Sequence, residues 1–316
     1  MAAAYDRAVT SLAVVTGAFS YSGGVIAQRL LERGDQVVTL SRQAPPAGHP
    51  LAGRIRQERL QFTDDAALVR ALAGADVLFN TYWIRFAHSG TTFEDAVENS
   101  RRLFRAARAA DVGRVVHLSV TNAAAGSPFA YFRGKAAVEH ALAETTSEYA
   151  VIRPSLVFGG RQEILINNMA WLLRRLPVYA VPGDGRYRVQ PVSVDDVADQ
   201  AVAAAARSGP SVEDAAGPEL YTFDELLTVL RRALGTRTRL LHLPPPAVGA
   251  LGAMLGRLLR DVVITREELG ALTSELLVSH HPATGSRSFA EWLPGQAEWL
   301  GRRYANELHR NWRATS

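Results

Sequence analysis

The chain predicts an α/β fold, a doubly wound parallel sheet with a smaller, mainly helical C-terminal domain, on three observations. Over the first two-thirds of its 316 residues, short runs rich in β-branched residues alternate with helical patterns, the order of βα units. A glycine-bearing loop joins the first such run to the first helix. After Gly160 the alternation breaks down into helical segments punctuated by prolines.

Taken in order, strands are expected at 12–15, 36–40, 77–82, 114–120 and 149–153, with a short one at 60–62. Helices fall between them at 24–33, 66–73, 93–110 and 129–145, and 44–53, rich in Pro, Ala and Gly, is a loop. Further on, 164–175 reads as a helix, 181–185 as a turn, and 195–206 and 224–234 as helices. The remainder is expected to be mostly helical, broken at Pro244-Pro246, Pro282 and Pro294. The domain reading is therefore 8–160 as a nucleotide-binding unit, with 189–216 returning to it, and 161–188 plus 217–316 as a helical substrate or lid unit. A ligand belongs in the crevice at the carboxyl ends of the strands.

Composition narrows the functional classes. A hydrophobic content of 47% with 21% charged residues describes a globular protein. Net charge is only +4 and spread along the chain, with no basic cluster of the kind that binds nucleic acid. The absence of cysteine removes disulfide and thiolate chemistry and fits a reducing cytoplasm. Met1-Ala2-Ala3-Ala4-Tyr5-Asp6 lacks the basic and apolar regions of a signal peptide. The apolar stretch 246–259 is too short to span a bilayer, so it reads as a buried helix, a pocket lid or a peripheral membrane contact. No His cluster has metal-ligand spacing, and His280-His281 reads as a loop pair. Oligomeric state stays open.

The loop Thr16-Gly17-Ala18-Phe19-Ser20-Tyr21-Ser22-Gly23-Gly24 carries the first functional signal. Between strand and helix, Gly17 permits a tight turn, and Gly23 lets the helix start pack against the strand and receive a pyrophosphate. This is a Rossmann-type arrangement with Ser20 in place of the middle glycine. The expected cofactor contacts here are Gly17, Phe19, Ser20, Tyr21, Ser22 and Gly23. The second strand ends Leu40-Ser41-Arg42, with no acid to hold an adenosine ribose. Arg42 can grip a 2′-phosphate bidentately and Ser41 can add a hydrogen bond, which favours NADP(H) over NAD(H). The alternative is that Arg42 merely begins a solvated loop.

Lys135 is the only lysine among 35 Lys and Arg residues. A chain so biased to arginine should keep lysine where a compact ammonium is needed. It lies four residues after Tyr131, so a helix puts phenol and ammonium one turn apart on one face. A nearby ammonium lowers a phenol's pKa, which suits Tyr131 to proton transfer. An exposed pair on an amphipathic helix is the plainer reading.

Together these pieces resemble the short-chain dehydrogenase/reductase superfamily, in its extended and atypical branches. The matching residues are Thr16-Gly17-Ala18 with Gly23, Tyr131 with Lys135, Val151-Ile152-Arg153-Pro154 with Val157-Phe158-Gly159, and Val194-Asp195-Asp196-Val197-Ala198. Gly217-Pro218-Glu219 before Tyr221-Thr222-Phe223 belongs to the same pattern, which covers roughly residues 11 to 235. Within the superfamily the chain looks similar to NmrA-like proteins and to the nucleotide-binding accessory subunit of respiratory complex I. That group holds reductases, redox sensors and non-catalytic cofactor holders.

The resemblance implies roles. Lys135 would hold the nicotinamide ribose and Tyr131 would transfer the proton. Ser119 or Thr121 would orient the substrate oxygen, with Val120 in the family's hydroxyl slot between them. Asn80, Thr81, Tyr82 and Pro154 would border the cofactor, and Trp83 and Arg85 a planar or acidic substrate. Asn99 reads as structural, and Asp195 and Asp196 as a helix start. Two functions stay open: an NADP(H)-dependent oxidoreductase acting on a small carbonyl or alcohol, possible within an epimerase or dehydratase cycle, or a non-catalytic NADP(H)-binding regulatory or assembly protein.

Overall fold

Apolar β-branched runs buried on both faces form the centre of a parallel sheet. The computed structural model describes residues 11–312, so the N-terminal stretch Met1-Asp6 lies outside it. The first half runs β1 (Leu12–Thr16), α1 (Tyr21–Arg33), β2 (Gln36–Ser41), β3 (Arg56–Arg59), α2 (Asp65–Leu72), β4 (Val77–Asn80), α3 (Phe93–Ala109), β5 (Arg114–Leu118), α4 (Ala130–Thr145) and β6 (Tyr149–Pro154). It continues through β7 (Leu156–Phe158), α5 (Leu165–Arg175), β8 (Val178–Pro182), β9 (Arg188–Val189), β10 (Pro191–Ser193), α6 (Val194–Ala205) and β11 (Ser211–Ala215). Seven of these strands make one sheet in the order β11-β6-β5-β4-β1-β2-β3. All its pairings are parallel, the doubly wound arrangement.

Each face of the sheet buries its own core. Val15, Phe79, Ile152 and Ile26 pack on the side of α1 and α6. Leu78, Leu103, Phe104 and Val138 pack on the side of α2, α3 and α4. The reversal of strand order between β1 and β4 opens a crevice at their carboxyl ends, where the Gly17 loop and residues 81–85 leave the sheet.

The third strand departs from expectation. It is Arg56–Arg59 and not 60–62, and it is polar because it is an edge strand with most of its side chains exposed. Leu60, which looked strand-like, is buried just beyond it.

The last third contains β12 (Tyr221–Thr222), α7 (Phe223–Ala233), β13 (Arg239–Leu243), α8 (Pro245–Leu259), α9 (Arg266–Thr273), α10 (Phe289–Trp292) and α11 (Glu307–Asn311). Helices α5 and α7 share a core with Phe158, Phe289 and Leu300. This region is less helical than expected. Strand β13 pairs in parallel with β8, which takes the first two positions of the turn expected at 181–185; residues 183–185 do turn. Pro245 does not break a helix but starts α8, because proline's missing N–H costs nothing in a first turn.

Candidate functional site

The turn after β1 forms a cradle that only glycine permits. Gly17 has φ +69, and a Cβ on Gly23 would sit 2.4 Å from the Gly17 carbonyl oxygen. The start of α1 is thereby pressed against the turn. Ser20 caps α1 without a side-chain hydrogen bond, and its hydroxyl turns back to donate to Gly17 O at 2.6 Å. The first turn of α1 contains no acid, so its free amides and dipole present an anion site to the crevice. A dinucleotide pyrophosphate fits this cradle.

The crevice is a cleft of about 1010 Å³. Its walls include Gly17, Phe19, Ser20, Tyr21 and Ser22 from the loop and Ser41 and Arg42 from the end of β2. Ser41 is tied into a turn with Gln43, donating to its carbonyl at 2.8 Å. Arg42 is exposed at the rim, and no carboxylate among the described residues forms a salt bridge with it. Thr81, Tyr82 and Pro154 also line the cleft. Gly23 is buried behind the turn. Asn80 is fully buried in β4, where its side chain meets Thr16 and His117, so the structure does not bring it to the cleft.

The far end of the cleft holds Tyr131 and Lys135, both from α4. Between them α4 carries Gly134, and the Trp83 indole rests there, so close that a Cβ on Gly134 would lie 2.8 Å from it. Trp83 meets the Tyr131 ring edge-on at 5.9 Å, and the Lys135 ammonium lies 4.7 Å from its ring centre. Lys135 also donates to Leu118 O at 2.7 Å. Burial lowers the Lys135 pKa to about 7, against an upward push from Glu139. The Tyr131 pKa moves the other way. Burial and the Glu268 carboxylate push the phenol well above its usual range, and Arg85 only partly offsets them. The lowering by the Lys135 ammonium that the one-turn spacing predicts does not appear in this conformation; the cation that acts on the phenol is Arg85.

The hydroxyls expected to orient a substrate are both engaged. Ser119 lines the cleft but donates to Glu139, which Arg153 also grips through its Nε at 3.0 Å. Thr121 is fully buried and donates to Asp214 at 3.2 Å, away from the cleft. Val120 lines the wall between them. Arg85 reaches the cleft but is bolted to α9, donating to Glu268 at 2.5 Å and Val263 O at 3.1 Å. Asp195 and Asp196 stand in the first turn of α6 and pair with Arg29 and Arg287. Among the described residues no group of His, Asp or Glu is placed to hold a metal.

Sequence reasoning missed the roof. Residues 307–312 return across the cleft, and Trp312 stacks on Phe86 at 6.1 Å between ring centres. Arg310 donates to Gln162 O at 2.9 Å from the opposite wall. No motif announces such a contact; the nearest signal is the late tryptophan at a polar chain end.

With this geometry in view, the comparisons agree on family and fold. Residues 13–215 match the NAD dependent epimerase/dehydratase family, and the chain belongs to that family. It is 26% identical to the mitochondrial NADH dehydrogenase (ubiquinone) 1 alpha subcomplex subunit 9 of Arabidopsis thaliana, over 85% of this chain and 71% of that protein. It is 23% identical to the mitochondrial NADH-ubiquinone oxidoreductase 40 kDa subunit of Neurospora crassa, over 81% and 69%. Among solved structures, a triphenylmethane reductase of Citrobacter sp. superposes with a TM-score of 0.75 at 19% identity, over 91% of this chain and 99% of that one. An NADPH-dependent quinone oxidoreductase of Escherichia coli, complexed with NADPH, superposes with a TM-score of 0.70 at 20% identity, over 90% and 99%. These structural likenesses establish an NAD(P)-binding fold.

Proposed function

Within the NAD-dependent epimerase/dehydratase family, we propose that this chain is an NADP(H)-dependent oxidoreductase that reduces a small, planar, conjugated carbonyl. The observation that carries this reading is that one cleft holds the anion cradle, the unpaired Arg42 and the Tyr131 and Lys135 pair. Residues 8–160 with 189–216 would hold the cofactor, and 161–188 with 217–316 would shape the substrate end. The pyrophosphate would rest on Gly17 and the α1 amides, the 2′-phosphate on Arg42 with Ser41, and Lys135 would anchor the nicotinamide ribose. When bound, the nicotinamide supplies the hydride.

The remaining chemistry belongs to the chain. Tyr131 is protonated at neutral pH, so it can donate a proton to a carbonyl oxygen as hydride arrives at carbon. Donation leaves Tyr131 as a phenolate, a charge that burial opposes, so the proton is replaced from solvent through the open cleft before the next turnover. The resting phenol enters as an acid, which suits reduction; oxidation, or an epimerase or dehydratase cycle, would begin from the phenolate. Trp83 and Trp312 offer flat apolar surfaces, and with Thr121 turned away, Ser119 is the one expected hydroxyl at the wall. Such a wall favours a substrate held by stacking. We place the chain in a reducing cytoplasm on its lack of cysteine.

A second reading is a cofactor-holding protein without turnover. The engagement of Ser119 with Glu139 and of Lys135 with Leu118 O supports it, as do relatives named as subunits of an NADH dehydrogenase. NADPH oxidation measured against a panel of conjugated carbonyls, beside a binding titration, separates the two. For the enzyme, Tyr131→Phe should lower kcat by about 10²–10⁴. Its cofactor Kd should move by no more than about tenfold, the worth of one hydrogen bond. Unchanged turnover in Tyr131→Phe would end the proton-donor role. Tight NADPH binding with no turnover of any acceptor would establish the second reading.

A further inference from the structure

Helix α8 is built with its glycines inward. A Cβ on Gly252 would meet Ile264 at 2.8 Å, and one on Gly256 would lie 2.5 Å from Asp261 O. Gly249, three residues earlier on the same face, abuts Leu269 of α9. Three large apolar side chains point the other way, while Val248 is buried and Leu255 and Leu259 are half-buried. Leu251, Met254 and Leu258, spaced three and four apart, make one outward stripe, with Met254 63% and Leu258 80% exposed. A helix that served only to fill a core would show the reverse pattern.

Charge singles out what covers this stripe. From Leu226 to Arg260 the chain contains six arginines and no Asp or Glu. Arg257 and Arg260 are exposed on and just beyond α8. Arg239 and Leu241 are exposed on β13, which leads into it. No carboxylate among the described residues forms a salt bridge with any of these three arginines. The acid that reaches this strand, Asp224, is paired with His242 at 2.8 Å. A two-fold pairing of the face with a second copy would bring the arginines of one stripe toward those of the other.

We infer that the outward face of α8 docks on an anionic membrane surface, with Leu251, Met254 and Leu258 entering the headgroup and acyl boundary and the arginines contacting lipid phosphates. The helix lies in the interface plane rather than crossing it; no helix among the described residues is long and apolar enough to span a bilayer. This docking does not depend on turnover in the cleft.

Vesicle flotation with the full chain tests it. The chain should float with phosphatidylcholine vesicles containing phosphatidylglycerol, remain behind with phosphatidylcholine alone, and be released as salt rises from about 0.1 to 0.5 M. Leu258→Glu and Met254→Glu alter exposed side chains, so NADPH affinity should persist as a check on folding. Each should lower vesicle partition by about tenfold or more. No flotation with anionic vesicles, or flotation that neither substitution weakens, overturns the proposal. So does a wild-type dimer that Leu258→Glu dissociates while vesicles retain nothing, which would give the face to a second copy.

Discussion

At Lys135 the decisive quantity is desolvation. The ammonium is 3% exposed, with Leu118 O and the Trp83 ring as its near neighbours, and its pKa falls to about 7. Because the chain has no other lysine, lysine-selective ¹³Cε labelling gives one signal, and its titration midpoint should lie near 7. A midpoint close to the 10.5 of free lysine would show the side chain solvated. The stability consequence has a definite sign. Between about 7 and 10.5 the unfolded chain holds a proton that the folded chain has lost, so this group makes stability rise with pH across that window. Arg42 is the converse, an exposed charge awaiting a partner. Arg42→Ala should weaken NADP(H) binding by about 1.5–3 kcal/mol and leave NAD(H) affinity nearly unchanged. Equal loss for both cofactors in paired titrations would remove Arg42 from the 2′-phosphate. The pairing of Tyr131 with Lys135 was legible because helical spacing is local. The upward shift of Tyr131 was not, since it comes from burial and from Glu268, more than a hundred positions away.

Among elements, the β1–α1 junction is the most constrained. Gly23 cannot accept a methyl group without moving α1 off the Gly17 carbonyl. Gly23→Ala should therefore destabilise the fold by about 1–3 kcal/mol, as overpacking does, and should weaken both cofactors alike. Unchanged melting and binding would mean that the helix start has slack. Parallel strands buried on both faces and the helices between them were readable, because hydrophobic period is written locally; the structure adds capping boxes at Thr92 and Thr222 that fix two of those helix starts. Short strands were not. Strand β3 shows no apolar period because it is an edge, and β13 exists only because β8 lies beside it. Proline misled at 244–246, where it marks a helix start rather than a break.

Over the whole molecule, one carboxylate ties the segment that roofs the cleft to the end of α8. Asp261, just past α8, accepts from Tyr304 Oη at 2.7 Å and from the amides of Glu307 and Leu308 at 3.0 Å each. Asn306 adds a bond to Leu259 O at 3.0 Å, so the end of α8 holds the segment that roofs the cleft. Asp261→Ala would strand a phenol and two amides in a largely buried place, a local cost of about 1–3 kcal/mol. That cost falls on a short segment whose other ties include Glu307 to Arg85, Arg310 to Gln162 O and Trp312 to Phe86, and detachment of 306–312 should precede any loss of the sheet. Hydrogen exchange at Glu307 and Leu308 should accelerate in the variant while the amides of β1 and β5 keep their protection. NADPH should also dissociate faster, because Arg310 and Trp312 leave the rim. Unchanged exchange at 307 and 308 would show that Arg310 on Gln162 O and Trp312 on Phe86 hold the roof by themselves.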